Sequence, residues 1–169
     1  MKKIGVSLGN VCHSAVWAVN NGLRKSKQDG YNTCPFDLMV SNYKGIVECI
    51  KDDFKHFCDP KHLVVKHQLQ NSYYKFGFNH ECPNNKKLFL KQKWPEGNDH
   101  FTKNNYKNFK ERYSKRIQSF KKYLNDKNNY IIFIIQFKYD KQPDKNLTEL
   151  RDALKLKYPH LKYEIKIIP

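Results

Sequence analysis

The longest unbroken apolar run in the chain covers residues 131–135, which read Ile-Ile-Phe-Ile-Ile. A helix that crosses a bilayer needs about 20 apolar residues, so this run is far too short to span a membrane. A short apolar run without polar alternation is typical of a β-strand that is covered on both faces. Such strands occur in parallel sheets flanked by helices, so we predict a buried strand over residues 130–137.

The spacing of apolar residues elsewhere alternates between strand-like and helical periods. It predicts, in chain order, a strand over residues 2–8, a helix over 11–22, a helix capped by Ser41 and ended by Pro60, a strand-rich segment over 62–78, helices over 102–124 and 147–158, and a strand over 163–168. The length of 169 residues, without repeats or a low-complexity linker, predicts one domain over residues 1–169. We therefore expect a single α/β domain with a mostly parallel or mixed sheet flanked by helices. Its last strand–helix–strand unit should form a right-handed parallel crossover.

The chain is strongly basic, with 32 Lys and Arg residues against 16 Asp and Glu residues and a net charge of +16. Such an excess is typical of proteins that bind phosphate groups. Only four of the basic residues are arginine, however, and the chain also contains 17 asparagines. Because AT-rich genomes favour both lysine and asparagine, two sources of the charge remain open: binding to nucleic acid and codon bias.

The chain has five cysteines that follow no disulfide or metal spacing: Cys12, Cys34, Cys49, Cys58 and Cys82. Its first ten residues lack the apolar stretch and the cleavage site of a secretory signal. We therefore expect reduced thiols in a cytoplasmic protein without a membrane segment. Ligand spacing is also missing among five of the histidines, so we predict neither a metal site nor a cofactor: His56, His62, His67, His100 and His160.

The segment from Ser7 to His13 places a cysteine in the first turn of a predicted helix, directly after a glycine turn at Gly9. A helix N-terminus stabilises a thiolate, and its free N–H groups can bind an oxyanion. Cys12 therefore fits a nucleophile, although a small packing residue would suit the same position. His13 lies one helical step away, and we expect it at the surface. In a parallel sheet this turn would also lie where α/β proteins bind phosphate or sugar ligands.

Several segments together resemble a known family. Residues 7–12, 22–24 and 35–37 are similar to the opening of a papain-like cysteine peptidase family of unknown function, which occurs in bacteria and large DNA viruses. The similarity continues in three later segments: His80-Glu81, Tyr113 to Ile117 and Ile131 to Ile134. The chain departs from the family at Leu38, where tryptophan is usual, and at Glu81, where aspartate is usual.

The resemblance implies a thiol hydrolase that acts on a peptide or acyl substrate. Cys12 would be the nucleophile and His80 the general base, with Asp37 orienting the imidazole. Asn10, beside Gly9, would contribute to an oxyanion hole. The resemblance also implies an α+β papain-like fold as the alternative to the parallel α/β sheet, and a viral source, with the protein in the host cytoplasm or the virion.

Two other functions remain open at this point. The first is nucleic-acid binding through the lysines of residues 103–122 and the aromatic residues of 73–78. The second is an interaction role for a catalytically inactive relative, which the altered residues Leu38 and Glu81 would favour. For Asp37 and Arg116, the alternatives to a site role are a turn residue that accepts backbone N–H bonds and a structural ion-pair partner.

Overall fold

The computed structural model describes residues 1–169, which form six strands and five helices. In chain order these are β1 (Lys2–Ser7), α1 (His13–Asn20), α2 (Tyr43–Lys51), β2 (Leu63–Val65), β3 (Leu69–Asn71), β4 (Phe76–Phe78), α3 (Lys86–Phe89), α4 (Lys103–Asn125), β5 (Asn129–Gln136), α5 (Thr148–Lys157) and β6 (Tyr163–Ile168). A short 3₁₀ turn, Pro35–Leu38, lies between α1 and α2. No helix combines the length and the apolar composition that crossing a bilayer requires.

The first sheet is parallel, with strand order β1–β5–β6. Its central strand, β5, carries the apolar run, and every residue of the run is at most 2% exposed. Burial on both faces is possible because Ile132 and Ile134 pack with Ala18 of α1, while Ile131 and Phe133 belong to the main core. The predicted buried strand and the parallel pairing of β5 with β6 across α5 are both confirmed.

The second sheet is antiparallel and contains β2, β3 and β4. The expected single sheet, mostly parallel or mixed, is therefore two separate three-stranded sheets, one parallel and one antiparallel. Within the predicted strand-rich segment, pairing resumes only at Phe76 because the Asn71 side chain accepts hydrogen bonds from the N–H groups of Tyr73 and Tyr74. Those bonds make a turn where the apolar pattern alone favours a strand.

Helix α2 differs from the prediction at both ends. Asn42, not Ser41, caps its N-terminus, since the Asn42 side chain accepts a hydrogen bond from Gly45 N–H. Ser41 is instead buried, with its hydroxyl 3.4 Å from the carbonyl oxygen of Leu8. The helix ends at Lys51 because Asp53 and Phe54 have left-handed backbone angles, with φ of 58° and 63°. The apolar spacing that continues to Phe57 therefore belongs to a loop packed on the core.

Helix α4 is the longest helix and carries the polar groups that build the candidate site. Residues 104–106 have positive φ, so the regular right-handed helix begins at Lys107. The buried face contains Phe109, Tyr113, Phe120 and Leu124, together with one charged residue, Arg116. A buried arginine needs a counter-charge, and Glu81 supplies it.

Candidate active site

The turn after β1 requires a glycine at position 9. Gly9 has φ of +93°, and a Cβ atom there would lie 1.8 Å from Oγ of Ser41. The turn is held on both sides, because Gly9 N–H donates to Oγ of Ser7 and the Gly9 carbonyl accepts from Gln136 N–H. It therefore occupies the carboxyl edge of the parallel sheet, where β1 and β5 end side by side.

Cys12 lies immediately before α1 as its N-terminal flanking residue and is half-buried. Its carbonyl accepts a hydrogen bond from Val16 N–H, while its thiol and its own N–H make no hydrogen bond within the chain. A helix start leaves its first N–H groups free in this way. His13 is exposed, as expected, and faces a separate groove beside Gln136 and Lys138.

Asn10 is buried, and its side chain connects the turn to the loop that follows β5 by hydrogen bonds. Its Nδ2 atom donates to the carbonyl of Ser41 and to Oδ2 of Asp140, both at 3.0 Å, and its Oδ1 atom accepts from Tyr139 N–H. Asp140 also accepts from Tyr43 N–H at 2.7 Å. Sequence reasoning missed Asp140, although its place just beyond β5, at the same sheet edge as Cys12, was a usable signal.

Asp37 is 1% exposed and uses both carboxylate oxygens within its own neighbourhood. Oδ1 forms an ion pair with Nη1 of Arg24 at 2.8 Å, and Oδ2 accepts a hydrogen bond from Cys34 N–H at 2.8 Å. The bond from Cys34 N–H makes Asp37 a turn residue that accepts a backbone N–H, which is the alternative to a catalytic role given in the sequence analysis. Asp37 makes no hydrogen bond to His80 in the structure.

His80 is half-buried beside α4, and its Nε2 atom is buried without a hydrogen-bond partner. Burial, together with the positive charges of Arg116 and Arg112, lowers the pKa of His80 to about 4. Its imidazole is therefore neutral at neutral pH, which is the form that can accept a proton.

Glu81 anchors the loop that carries His80. Its side chain is fully buried and lies 3.1 Å from Nε of Arg112 and 3.5 Å from Nη1 of Arg116, and it accepts a hydrogen bond from the Tyr113 hydroxyl. Burial raises the pKa of the Glu81 carboxyl, and the two guanidinium groups offset part of that rise. The ion pair gives Arg116 the structural role described as its alternative in the sequence analysis.

The predicted site residues thus fall into three neighbourhoods. Gly9, Asn10 and Cys12 form the turn at the end of β1. Asp37 is paired with Arg24, and His80 lies beside the ion-pair cluster of α4. No hydrogen bond joins the Cys12 thiol, the His80 imidazole and the Asp37 carboxylate.

The other four thiols are in less reactive surroundings. Burial raises the pKa values of Cys34 and Cys49 well above the ordinary thiol value. Burial also raises the pKa of Cys58 to about 11, and Cys82 is 3% exposed. All five cysteines are free thiols. Cys12 and Cys58 are the two half-buried thiols, and the raised pKa of Cys58 leaves Cys12 as the candidate nucleophile.

A basic groove of about 660 Å³ lies along one side of α4. Its lining combines four positive side chains with three aromatic rings: Lys27, Arg112, Lys115, Arg116, Tyr31, Trp94 and Phe101. Nη1 of Arg116 and Nε of Arg112 are buried without hydrogen-bond partners, although both lie near Glu81. The four positive side chains outnumber Glu111, the one carboxylate of the lining, so the groove is suited to an anion.

No curated protein and no solved structure gives a significant match to the chain. Residues 3–169 match the model of a family described as "Putative papain-like cysteine peptidase (DUF1796)". The match covers nearly the whole chain, and the family is the one that the sequence resembles. The protein therefore belongs to this family.

Proposed function

We propose that the protein is a thiol hydrolase acting on a peptide or other acyl bond, with Cys12 as its nucleophile and His80 as its base. The observation that carries the proposal is the position of Cys12, a half-buried thiol at the start of α1, behind a turn held by Gly9. The family description supports the reaction class. A helix N-terminus favours the thiolate that such a reaction needs.

In this mechanism, His80 accepts the proton from Sγ of Cys12, and the sulfur attacks the carbonyl carbon of the substrate. The resulting oxyanion accepts hydrogen bonds from free backbone N–H groups at the start of α1, Cys12 N–H among them. The Asn10 side chain is fully engaged elsewhere, so its role is to hold the turn. The leaving group departs with the proton from His80, and water then hydrolyses the thioester.

The proposal requires His80 to approach Cys12 when substrate binds, because the two side chains share no hydrogen bond in the free protein. Catalytic hydrogen bonds are often long or absent before substrate binds. Moving the imidazole away from Arg112 and Arg116 and towards a thiolate would remove the positive charges that lower its pKa. Both carboxylate oxygens of Asp37 are occupied by Arg24 and by Cys34 N–H. Asp37 therefore acts indirectly, by holding Arg24 in position.

We expect a cysteine-directed electrophile such as iodoacetamide to label Cys12 well before the other thiols of the folded protein. The pKa of Cys58, about 11 against an ordinary 9.0, makes its thiolate about 100-fold scarcer than that of an ordinary thiol at neutral pH. The buried thiols Cys34, Cys49 and Cys82 should react only after unfolding. Peptide mapping by mass spectrometry as a function of time measures all five rates.

A second labelling experiment, with a peptide-like acylating electrophile, tests the base through His80→Asn, with His13→Asn as the matched control. Loss of a positioned base should slow acylation of Cys12 by a peptide-like electrophile by about 100-fold, the low end for such groups. His13→Asn should leave the rate unchanged, since that ring faces another groove. Equal rates in the wild type and His80→Asn would contradict the role of His80. If Cys12 is labelled no faster than Cys58, the assignment of Cys12 as the nucleophile is wrong.

A second candidate function is the binding of a phosphate-bearing chain in the basic groove, which the excess of positive side chains in its lining favours. Lysine side chains would neutralise phosphates. The aromatic rings of the groove already stack within the protein, Tyr31 on Tyr123 and Trp94 on His100, so electrostatic attraction would supply the binding. The groove contains Lys115 from the lysines that the sequence analysis named for nucleic-acid binding, but none of the aromatic residues 73–78.

For this candidate we expect the double variant Lys27→Gln, Lys115→Gln to weaken binding of a labelled single-stranded oligonucleotide. Two lost phosphate contacts should reduce the slope of log affinity against log salt by about 1.4. Fluorescence anisotropy at several salt concentrations measures the slope. Lys155→Gln, Lys157→Gln on α5 removes the same charge outside the groove. An equal loss of affinity in that control would show that only net charge matters.

A further inference from the structure

Three side chains with metal-ligand chemistry meet on the connection between α2 and β2. His56, Asp59 and His62 each offer one ligand atom, and these atoms all lie within 4.8 Å of one another. All three residues are half-buried, so the cluster is open to solvent on one side. Cys58, between them in sequence, takes no part in the cluster.

The backbone under the two histidines is held by hydrogen bonds. His56 N–H donates to the Tyr74 hydroxyl, and the His56 carbonyl accepts from Nδ2 of Asn71 at 2.7 Å. His62 N–H donates to the carbonyl of Asp59, and the His62 carbonyl accepts from N–H and Oγ of Ser72. A ligand set anchored in this way loses little conformational freedom when an ion binds.

The ligand atoms themselves are available. Nδ1 of His56 is buried and has no hydrogen-bond partner, and the His62 ring makes no hydrogen bond within the chain. Asp59 uses only Oδ1, which accepts from Lys61 N–H at 3.0 Å, so Oδ2 remains free. The Tyr73 ring lies against both imidazoles, with centroid distances of 4.1 Å to His56 and 5.2 Å to His62.

We propose that His56, Asp59 and His62 form a zinc-binding site. Two imidazoles and one carboxylate are a donor set that Zn²⁺ takes readily, and three protein ligands leave a fourth tetrahedral position for water or another ligand. Tetrahedral zinc places its ligand atoms about 3.4 Å apart, so the side chains must draw together by about 1.5 Å or less. Rotation of the half-buried side chains supplies that movement without disturbing the anchored backbone.

The site differs from the sequence-based expectation of no metal. His56, Asp59 and His62 follow one another at spacings of three, which brings side chains together on a regular helix, but this segment is not a regular helix. The residues meet because the backbone leaves the helical path at Asp53 and Phe54, both with positive φ, and turns again at Pro60. Ligand geometry therefore arises from irregular backbone that spacing rules do not describe.

The test is a calorimetric titration of the full, reduced chain with Zn²⁺ alone. We expect one equivalent to bind, and both His62→Gln and Asp59→Asn to weaken the affinity at least 10-fold. Asn at position 59 can still accept the hydrogen bond from Lys61 N–H, so that variant removes the charge and keeps the turn. His160→Gln removes an exposed imidazole elsewhere and should bind zinc as the wild type does.

A second readout needs no variant of the cluster. In proton NMR spectra of the unmodified protein, one equivalent of Zn²⁺ should shift the imidazole resonances of His56 and His62 and leave those of His67 and His160 in place. The proposal fails if these shifts are absent. It also fails if zinc binding survives His62→Gln and Asp59→Asn but is lost in Cys12→Ser, because the Cys12 thiol would then be the ligand.

Discussion

Glu81→Gln should lower the free energy of unfolding by about 3 kcal/mol or more, within the range for breaking a buried ion pair. The substitution keeps the size of the side chain, so it removes the charge and opens no cavity. It leaves Arg116, whose side chain is 8% exposed, without its counter-charge in the core. Denaturation by urea at neutral pH, with circular dichroism as the signal, measures the loss.

An exposed ion pair in the same protein provides the matched control. Lys121 and Asp53 form an ion pair at 2.8 Å, which is shorter than either contact of Glu81, but the Asp53 side chain is 54% exposed. Solvent screens such a pair, so Asp53→Asn should change stability by only about 0–1 kcal/mol. Asparagine also tolerates the positive φ at this position. Similar losses in the two variants would contradict the view that burial determines the effect.

Gly9→Ala should destabilise the fold by about 3 kcal/mol, the sum of a backbone and a packing effect. A side chain at φ of +93° is strained, and its Cβ atom would lie 1.8 Å from Oγ of Ser41 and 3.1 Å from Cβ of Ser41. Because the same turn holds Cys12 at the start of α1, labelling of Cys12 should change as well. Urea denaturation measures the first effect and the labelling assay the second.

Gly22→Ala separates the two contributions. Gly22 also has a positive φ, +65°, but an added Cβ there would meet no atom within 4 Å. It should therefore show only the backbone effect, about 1 kcal/mol. Adding Ser41→Ala to Gly9→Ala should restore part of the stability, since the closest clash is with the Ser41 hydroxyl. A Gly9→Ala variant as stable as Gly22→Ala would show that the turn adjusts freely.

The features that sequence alone predicted well depend on residues close together in the chain. Residues 163–168 were predicted as a strand and form β6, and the apolar run 131–135 lies inside β5. The start of α1 at Cys12 and His13 follows from the strand–glycine–helix order. In each case the determining information, apolar period or turn chemistry, lies within a few neighbouring residues.

The C-terminal end of α2 and the start of β4 show where predictions from apolar spacing fail. Apolar spacing continues past Lys51 to Phe57, yet two residues with positive φ end the helix. The aromatic run from Tyr73 looks like a strand, yet the Asn71 side chain turns the backbone there. Hydrogen bonds from a single side chain and single backbone torsions override the apolar period in both segments.

The sequence by itself determined the α/β class, the buried central strand, the family and the candidate nucleophile at the start of a helix. The tertiary structure decided the partners: Arg24 for Asp37, Arg112 and Arg116 for Glu81, and Asp140 for Asn10. It also brought His56, Asp59 and His62 together. The physical reason is that a buried polar group must be satisfied by whatever partner the folded chain brings within about 3 Å, and that partner can be 130 residues away in sequence, as Asp140 is from Asn10.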